Sequence, residues 1–355
     1  MLYSEIKKEL LNIHTIVIIL LALVFAMFIT YLPIKYYNSD NQKTEKYYKE
    51  YINRLEGKIS KEKADYVVKE KKFIEDTISN EENMLTSYND NKINAGDYQK
   101  YLDEDFYANE HSSAIDKVYQ QYERINNQTK KGIQSFFVYD TYWNYFFDMK
   151  VMTVIQMLLV VFIILDLSHK EYTSGMKLMT DTYYNGRVKL VNTKIASSII
   201  CSCVISVLFS VGQIFFYFVT YDMSGKSAPI QSISKFENFP IKMSIMAFVI
   251  LICVIRIITL SILGMIVYLI SFIFKNSMVA YIICGGIIIL PMLFANISKA
   301  VLNISIYEFT LVLGILSRST GVPGILLKAG IFVIVAIVLY TAIIAKQYSE
   351  DRKKG

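Results

Sequence analysis

Six long apolar runs constrain this chain more than any other feature. Hydrophobic residues make up 54% of its 355 residues, and they are gathered in blocks close to the ~20 residues that a helix needs to cross a bilayer. Hydrocarbon offers backbone groups no hydrogen-bond partners, so each run is predicted to be helical. The sequence therefore predicts an all-α integral membrane protein with six transmembrane helices. The predicted spans are residues 13–32, 148–167, 195–219, 245–274, 278–297 and 324–345.

Lysine and arginine are concentrated in alternate loops of this topology. Twelve of them share one predicted side: Lys7, Lys8, Lys170, Lys177, Arg187, Lys189, Lys194, Lys275, Lys346, Arg352, Lys353 and Lys354. The short loops on the other side hold five: Lys226, Lys235, Lys242, Lys299 and Arg318. Cytoplasmic loops carry the excess of cations, so residues 1–12 and the tail 346–355 are both predicted to be cytoplasmic. The net charge of +6 then reflects topology and does not indicate a nucleic-acid partner.

The longest polar segment, residues 33–147, is predicted to be an extracellular helical domain. Residues 36–147 contain 16 Lys or Arg and 20 Asp or Glu, a net charge of −4. Gly57 and Ser60 predict the end of one helix and the start of the next, and Asn94 predicts the N-cap of a long helix.

Two apolar stripes at helical spacing predict that this domain is a helical hairpin. The stripes are Val67, Ile74, Ile78, Leu85 and Tyr88 on one helix, and Tyr101, Ala108, Ile115, Val118, Tyr122 and Ile125 on the other. Such a hairpin either stiffens or dimerises the protein, or it is a receptor or gate for a specific molecule. Aromatic residues between 136 and 147 are predicted to anchor the domain at the membrane interface.

A charged, turn-rich segment, residues 168–194, separates the second and third spans. Its order is typical of a short helix that lies under a membrane and passes force from a cytosolic partner into two spans. The predicted coupling residues are Glu171, Gly175, Lys177, Leu178, Met179 and Arg187. The cations would meet acidic groups on the partner and the Leu-Met pair would fill a groove. Alternatively, the cations only follow the positive-inside rule.

This order resembles the intracellular loop of ABC-2-type transporter permeases. The start of the chain, around Glu5 to Leu10, is similar to the amphipathic connecting helix of such permeases, and the large domain after the first span resembles that of a bacterial subgroup. The resemblance implies a plasma-membrane exporter in which two permease subunits, identical or different, pair above two ATPase subunits. It also implies a peptide, lipid-linked or drug-like substrate.

Nucleotide chemistry is predicted to lie in a partner chain. None of the 15 glycines stands in a phosphate-binding loop, so ATP and Mg²⁺ are expected on a separate ATPase subunit. The four cysteines all fall in apolar spans and the three histidines lie in separate regions, so neither a disulfide framework nor a metal site is indicated. The chain is predicted to be a transport subunit without a catalytic residue or cofactor of its own.

Polar residues within or beside the apolar runs are the candidate substrate pathway, because lipid burial of polar groups is costly. They are Arg256, Gln156, Gln213 and Glu308. Arg256 either lies in the pathway or snorkels to the outer boundary, and the two glutamines either contact substrate or bond between helices. Glu308 belongs to residues 298–323, predicted to be short helices that re-enter the outer leaflet, and residues 220–244 are predicted to be an extracellular loop.

Two other functions are compatible with these patterns. In the first, the extracellular domain senses a peptide or envelope component and signals to a partner. In the second, the chain is only a structural membrane anchor.

Overall fold

A computed structural model describes residues 7, 12–148, 150–173, 186–274, 276–293, 330–331, 334–335 and 337–346, and these residues are almost entirely helical. The helices are α1 (Ile13–Asp40), α2 (Gln42–Leu55), α3 (Lys61–Ser79), α4 (Glu81–Asn89), α5 (Ala95–Lys130), α6 (Thr141–Phe146), α7 (Lys150–Thr173), α8 (Gly186–Thr220), α9 (Ile245–Ile273), α10 (Ser277–Leu293) and α11 (Ile337–Lys346). Two short strands, β1 (Gly57–Lys58) and β2 (Phe136–Phe137), pair antiparallel with Gly57 opposite Phe137.

Four helical stretches of the described chain are long and apolar enough to cross a membrane. They are Ile13–Ser39, Thr141–His169, Val191–Thr220 and Ile245–Ile273. The protein is therefore an all-α, multi-pass membrane protein. α10 has 17 residues and, like α11, is apolar but shorter than these four. The predicted fifth and sixth spans consequently stay predictions.

The chain divides into two compact units. The membrane unit comprises Met1–Tyr31, Phe147–Thr220 and Val249–Gly355. Within its described part, α7 packs against both α8 and α10, and small residues bring helices close together. A Cβ built on Gly264 of α9 would clash with the Ser202 Oγ of α8. Many apolar side chains of α1 are exposed, which is typical of a lipid-facing surface.

The polar unit comprises Leu32–Phe146 and Tyr221–Phe248. α2 and α3 both pack along α5, a 36-residue helix that is ~54 Å long. The predicted helix starts are confirmed, because the Ser60 Oγ accepts from the Lys63 N–H at 3.3 Å and the Asn94 Oδ1 accepts from the Asp97 N–H at 2.7 Å. These bonds satisfy donors that a helix N-terminus otherwise leaves unpaired.

The polar unit is more than the predicted hairpin. The first stripe loses its burial beyond α3, because the chain turns at Asn80 and Leu85 on α4 is 47% exposed. Part of the core that covers α5 comes instead from α2, through Tyr48, Tyr51, Ile52 and Leu55.

The predicted aromatic anchor is wrong for three residues that the polar unit buries. Phe137 and Tyr139 belong to the same core as the α2 side chains, with 0% and 2% of their surface exposed. Trp143 is also fully buried, and its indole N–H donates to the Ser224 carbonyl at 2.8 Å. These rings are therefore structural parts of the polar unit.

A buried carboxylate joins three parts of the polar unit. Glu45 on α2 accepts hydrogen bonds from Tyr37 at 2.8 Å, from Lys117 of α5 at 2.5 Å, from Thr141 at 3.1 Å and from Tyr139. Burial alone would raise the pKa of Glu45, but the bonds from Lys117, Tyr139 and Tyr37 outweigh it and leave the pKa below its usual value. Glu45 is therefore charged at neutral pH.

A half-buried histidine lies among tyrosines on the same unit. The His111 ring stacks between Tyr47 and Tyr107, with centroids 3.9 and 4.0 Å away. Its Nδ1 lies 3.0 Å from the Tyr51 hydroxyl, which also donates to Glu70 at 2.9 Å. Burial lowers the pKa of His111 in spite of the nearby Glu70, so the ring is neutral at neutral pH.

Candidate functional site

Two predicted pathway residues meet inside the membrane unit. Arg256 lies on α9 and is 1% exposed, although arginine is among the most costly residues to enclose in a membrane span. Its Nη1 donates to the Oε1 of Gln213 on α8 at 3.2 Å, and Gln213 is itself buried. Protein thus encloses the Arg256 side chain. The depth of this pair in a bilayer stays a prediction.

A third predicted residue, Gln156, is also buried. It is 0% exposed on α7, and neither its amide nitrogen nor its oxygen has a hydrogen-bond partner among the described residues. Thr153, one turn earlier, is also buried, and its hydroxyl has no hydrogen-bond partner among the described residues. Buried polar groups are nearly always hydrogen-bonded, so these side chains require water, a ligand or a partner to complete them.

The three residues lie toward the helix ends that continue into the polar unit along the chain. Gln156 is six residues after the start of α7 at Lys150, Gln213 is seven before the end of α8 at Thr220, and Arg256 is eleven after the start of α9 at Ile245. At 1.5 Å per residue, these separations are about 9, 10 and 17 Å along the helix axes. We call Gln156, Gln213 and Arg256 the buried polar residues.

α8 also carries a row of buried serines, which the sequence reasoning did not single out. Ser198, Ser202, Ser206 and Ser210 recur every fourth residue and are all buried. Ser202 bonds to the carbonyl of Ser198 at 2.8 Å, whereas the hydroxyls of Ser206 and Ser210 have no partner among the described residues. The four-residue spacing is visible in the sequence and marks one helix face.

The predicted coupling residues fall mostly beyond what the structure describes. Glu171 lies in the last turn of α7 and Arg187 in the first turn of α8, but their side chains are outside the described part. The remaining four coupling residues and Glu308 also lie outside the described residues; the four are Gly175, Lys177, Leu178 and Met179. Their roles stay predictions.

The helices on either side of residues 174–185 are longer than a membrane requires. α8 has 35 residues and is ~52 Å long, and α7 has 24 residues and is ~36 Å long. α8 begins at Gly186, nine residues before its predicted span at 195. This first part of α8 carries the cations Arg187, Lys189 and Lys194.

Comparison with known proteins does not assign the chain to a family. No family model, no curated protein and no solved structure matches the chain. The function must therefore be inferred from the chain's own residues.

Proposed function

We propose that this chain is the membrane-spanning permease subunit of an ATP-binding cassette exporter in a bacterial plasma membrane. A separate subunit would bind and hydrolyse ATP, and a second permease, identical or different, would complete the complex. One observation carries most of the proposal, which is the extension of α7 and α8 beyond their predicted spans toward residues 174–185.

The extension suits a segment that transmits displacement. A continuous helix is stiff along its axis, so a push at its end moves the whole span, whereas a flexible loop would absorb the push. α8 exceeds a ~30 Å hydrocarbon core by ~22 Å, of which its first nine residues supply ~13 Å. The Glu171 and Arg187 backbones lie where the two helices meet this segment.

The two chain segments that form the polar unit support the orientation that coupling needs. Leu32–Phe146 and Tyr221–Phe248 belong to one compact unit, and two candidate spans, α7 and α8, separate them along the chain. An even number of crossings returns the chain to the same side. The cation distribution favours the outside for both segments, and it then leaves residues 174–185 in the cytoplasm.

The buried polar residues support a route for a substrate with a polar or anionic group. Arg256 supplies a cation with several donors, and Gln156 supplies a donor and an acceptor without partners among the described residues. Polar side chains enclosed within membrane-spanning helices are retained mainly where they line a pathway or a binding cavity.

Co-purification from native membranes tests the coupling role. The tagged full-length chain is expected to bring down a nucleotide-binding subunit, and Glu171→Ala or Arg187→Ala is expected to reduce its yield at unchanged permease level. Lys353→Ala, which removes a cation from the predicted cytoplasmic tail, is the matched control and should have no effect. Normal yield with both coupling variants would contradict the proposed role of this segment.

A sensor function is the second candidate, and one observation favours it. The polar unit contains a groove of about 340 Å³ beside the C-terminal half of α5, which is large enough for a small ligand. Tight ligand binding to the full-length protein without ATP-driven transport of that ligand would favour sensing over export.

A further inference from the structure

Gly264 of α9 lies where three helices of the membrane unit meet. A Cβ built on this glycine would lie 3.2 Å from the Ile164 Cδ1 of α7 and 3.1 Å from the Ser198 carbonyl oxygen of α8, and it would clash with the Ser202 Oγ. We call Ile164, Ser202 and Gly264 the three-helix contact. It sets one reference level for α7, α8 and α9.

The directions of the three helices are defined by contacts and by topology. α8 and α9 run antiparallel, because Gln213 bonds to Arg256 near one end and the Cys203 Sγ lies 3.2 Å from the Ser261 Oγ farther along both helices. α7 and α8 belong to consecutive candidate spans, which cross a bilayer in opposite directions. α7 and α9 are therefore parallel, and positions on all three helices can be compared by counting residues from the three-helix contact.

One polar residue on each helix lies at the same level. Gln156 of α7, Ser210 of α8 and Arg256 of α9 are each eight residues from their own helix's member of the three-helix contact. At 1.5 Å per residue, each is ~12 Å from that contact. All three lie in the direction of the helix ends that continue into the polar unit along the chain.

Two further polar residues lie about one turn beyond this level. Thr153 of α7 and Gln213 of α8 are each eleven residues from the three-helix contact, which is three helical turns to within ~20°. Their side chains therefore leave α7 and α8 on the same faces as Ile164 and Ser202, which contact the neighbouring helices. Gln213 meets Arg256 there at 3.2 Å.

These side chains converge without all reaching one another. The hydroxyls of Thr153 and Ser210 and both polar atoms of the Gln156 amide are buried and have no hydrogen-bond partner among the described residues. Gaps wider than a direct hydrogen bond therefore separate them from the polar groups at their level. Polar groups in this relation are commonly joined by a water molecule.

The chemistry and the enclosure of these groups indicate water in particular. Each hydroxyl can donate and accept, and the Gln156 amide offers two donors and an acceptor, so the ligand must be neutral and must itself donate and accept. Because the atoms are enclosed by protein, a larger solute reaches them only if the helices separate. Water is small enough to stay enclosed, and a buried water typically makes about three hydrogen bonds to such groups.

We propose that the membrane unit binds internal water between α7, α8 and α9, held by Thr153, Gln156 and Ser210. This water completes hydrogen bonds that the side chains leave open. It also gives the Arg256 side chain a polar environment inside the membrane unit. The site depends on the packing of three helices and not on the proposed coupling to an ATPase or on a transported substrate.

X-ray radiolytic labelling of the full-length protein in lipid nanodiscs tests for this water. X-rays convert water into hydroxyl radicals wherever it lies, and mass spectrometry detects the oxidation of nearby methionine. Met152 and Met157 adjoin Thr153 and Gln156 on α7 and are only 1% and 0% exposed. At least one of them is expected to be oxidised several-fold faster than Met223, a buried methionine of the polar unit and the matched control. Hydrogen peroxide added to the bulk solution should leave all three intact.

Thr153→Val tests the same water through stability. The change removes a hydroxyl at nearly constant shape, and a hydroxyl bonded to water stabilises the fold, whereas an unpaired buried hydroxyl destabilises it. The variant should therefore melt at least ~2 °C below the native protein and lose most of the X-ray oxidation at Met152 and Met157. Thr341→Val, the same change at an exposed position of α11, is the matched control and should alter neither.

Two results would overturn the proposal. The first is X-ray oxidation of Met152 and Met157 no faster than that of Met223. The second is a melting temperature of Thr153→Val equal to or above the native value, because the hydroxyl would then have had no partner to lose. If Thr153→Val does not assemble, Gln156→Met takes its place with the same two expected results and the same two refutations.

Discussion

Replacing Glu45 by glutamine should destabilise the polar unit strongly with almost no change in shape. The carboxylate accepts four bonds at two oxygens, whereas an amide has one oxygen and one NH₂ group. Lys117 cannot accept a bond, so the amide oxygen must face Lys117 and Tyr37. The NH₂ group must then face Tyr139 and Thr141, whose hydroxyls have to turn and accept.

The size of the effect follows from the loss of charge. Hydrogen bonds to a charged group contribute ~1.5–3 kcal/mol and neutral ones ~0.5–1.5 kcal/mol, so each of the three hydroxyl bonds should weaken by ~1 kcal/mol. Because the Lys117 side chain is 34% exposed, solvent screens its share. The expected loss is about 3 kcal/mol, which is a large part of the ~5–15 kcal/mol that holds a typical domain together.

Trp143 makes the measurement possible in the full-length protein. It is the sole tryptophan of the chain, it is fully buried in the polar unit, and its N–H donates to Ser224. Its emission should shift to longer wavelength when the polar unit unfolds, independently of the membrane helices. In a denaturant titration, Glu45→Gln should lower the midpoint clearly, and Glu50→Gln, an exposed change on the same helix, should not. Equal midpoints for the two variants would refute the stabilising role of the Glu45 carboxylate.

The pH dependence has a defined sign. The folded-state pKa of Glu45 lies below its ordinary value of 4.5, so the unfolded chain takes up a proton first as the pH falls. The contribution to stability is complete above pH 4.5 and is lost as the pH falls through the folded pKa. When the pH is lowered from neutral to this acid range, the free energy of unfolding should therefore fall less for Glu45→Gln than for the native chain. If the difference between the two proteins did not change with pH, the stabilising role of the Glu45 carboxylate would be contradicted.

Three further predictions concern other parts of the molecule. Because burial lowers the pKa of His111, its neutral form stabilises the polar unit above pH 6.5, and this contribution is lost at lower pH. His111→Phe should therefore reduce the slope of unfolding free energy against pH below pH 6.5, as monitored by Trp143 fluorescence. An unaltered slope would contradict this role of His111. Gly264→Ala should destabilise the purified membrane protein by ~1–3 kcal/mol in thermal unfolding, because the new Cβ clashes with Ser202. Gly285→Ala, whose Cβ would have nothing within 4 Å, should not destabilise it. Equal melting temperatures of the two variants would count against close packing at Gly264. Arg256→Met should leave membrane insertion intact and reduce ATP-driven export by the reconstituted complex at least tenfold, and full export would remove Arg256 from the pathway.

Features that depend on local sequence could be predicted. The helix starts at Ser60 and Asn94 follow from side chains that bond to a backbone N–H three residues away, so neighbouring residues suffice to identify them. The first four spans are likewise local, since each is a single apolar run with a length set by the bilayer. The buried stripe of α5 follows from helical spacing alone.

Features that depend on distant contacts could not be predicted in the same way. The aromatic residues at 136–147 have the composition of an interfacial anchor, but the pairing of β2 with β1 and the bond from Trp143 to Ser224 place several of them inside the polar unit. The local sequence does not indicate these partners, because they lie about 80 residues away along the chain. Composition identified the chemical character of the rings and tertiary contact decided their environment.

The buried polar residues show how the two kinds of information combine. Arg256, Gln156 and Gln213 can be recognised individually as polar residues in apolar runs, whereas the bond between Arg256 of α9 and Gln213 of α8 depends on how these two helices pack. The serines of α8 add a row of buried hydroxyls with a spacing that is already present in the sequence. A single polar residue in a span has many explanations, whereas buried polar residues on three helices, with Gln156 and Ser206 unpaired among the described residues, are more economically explained by a shared enclosed site than by separate packing needs.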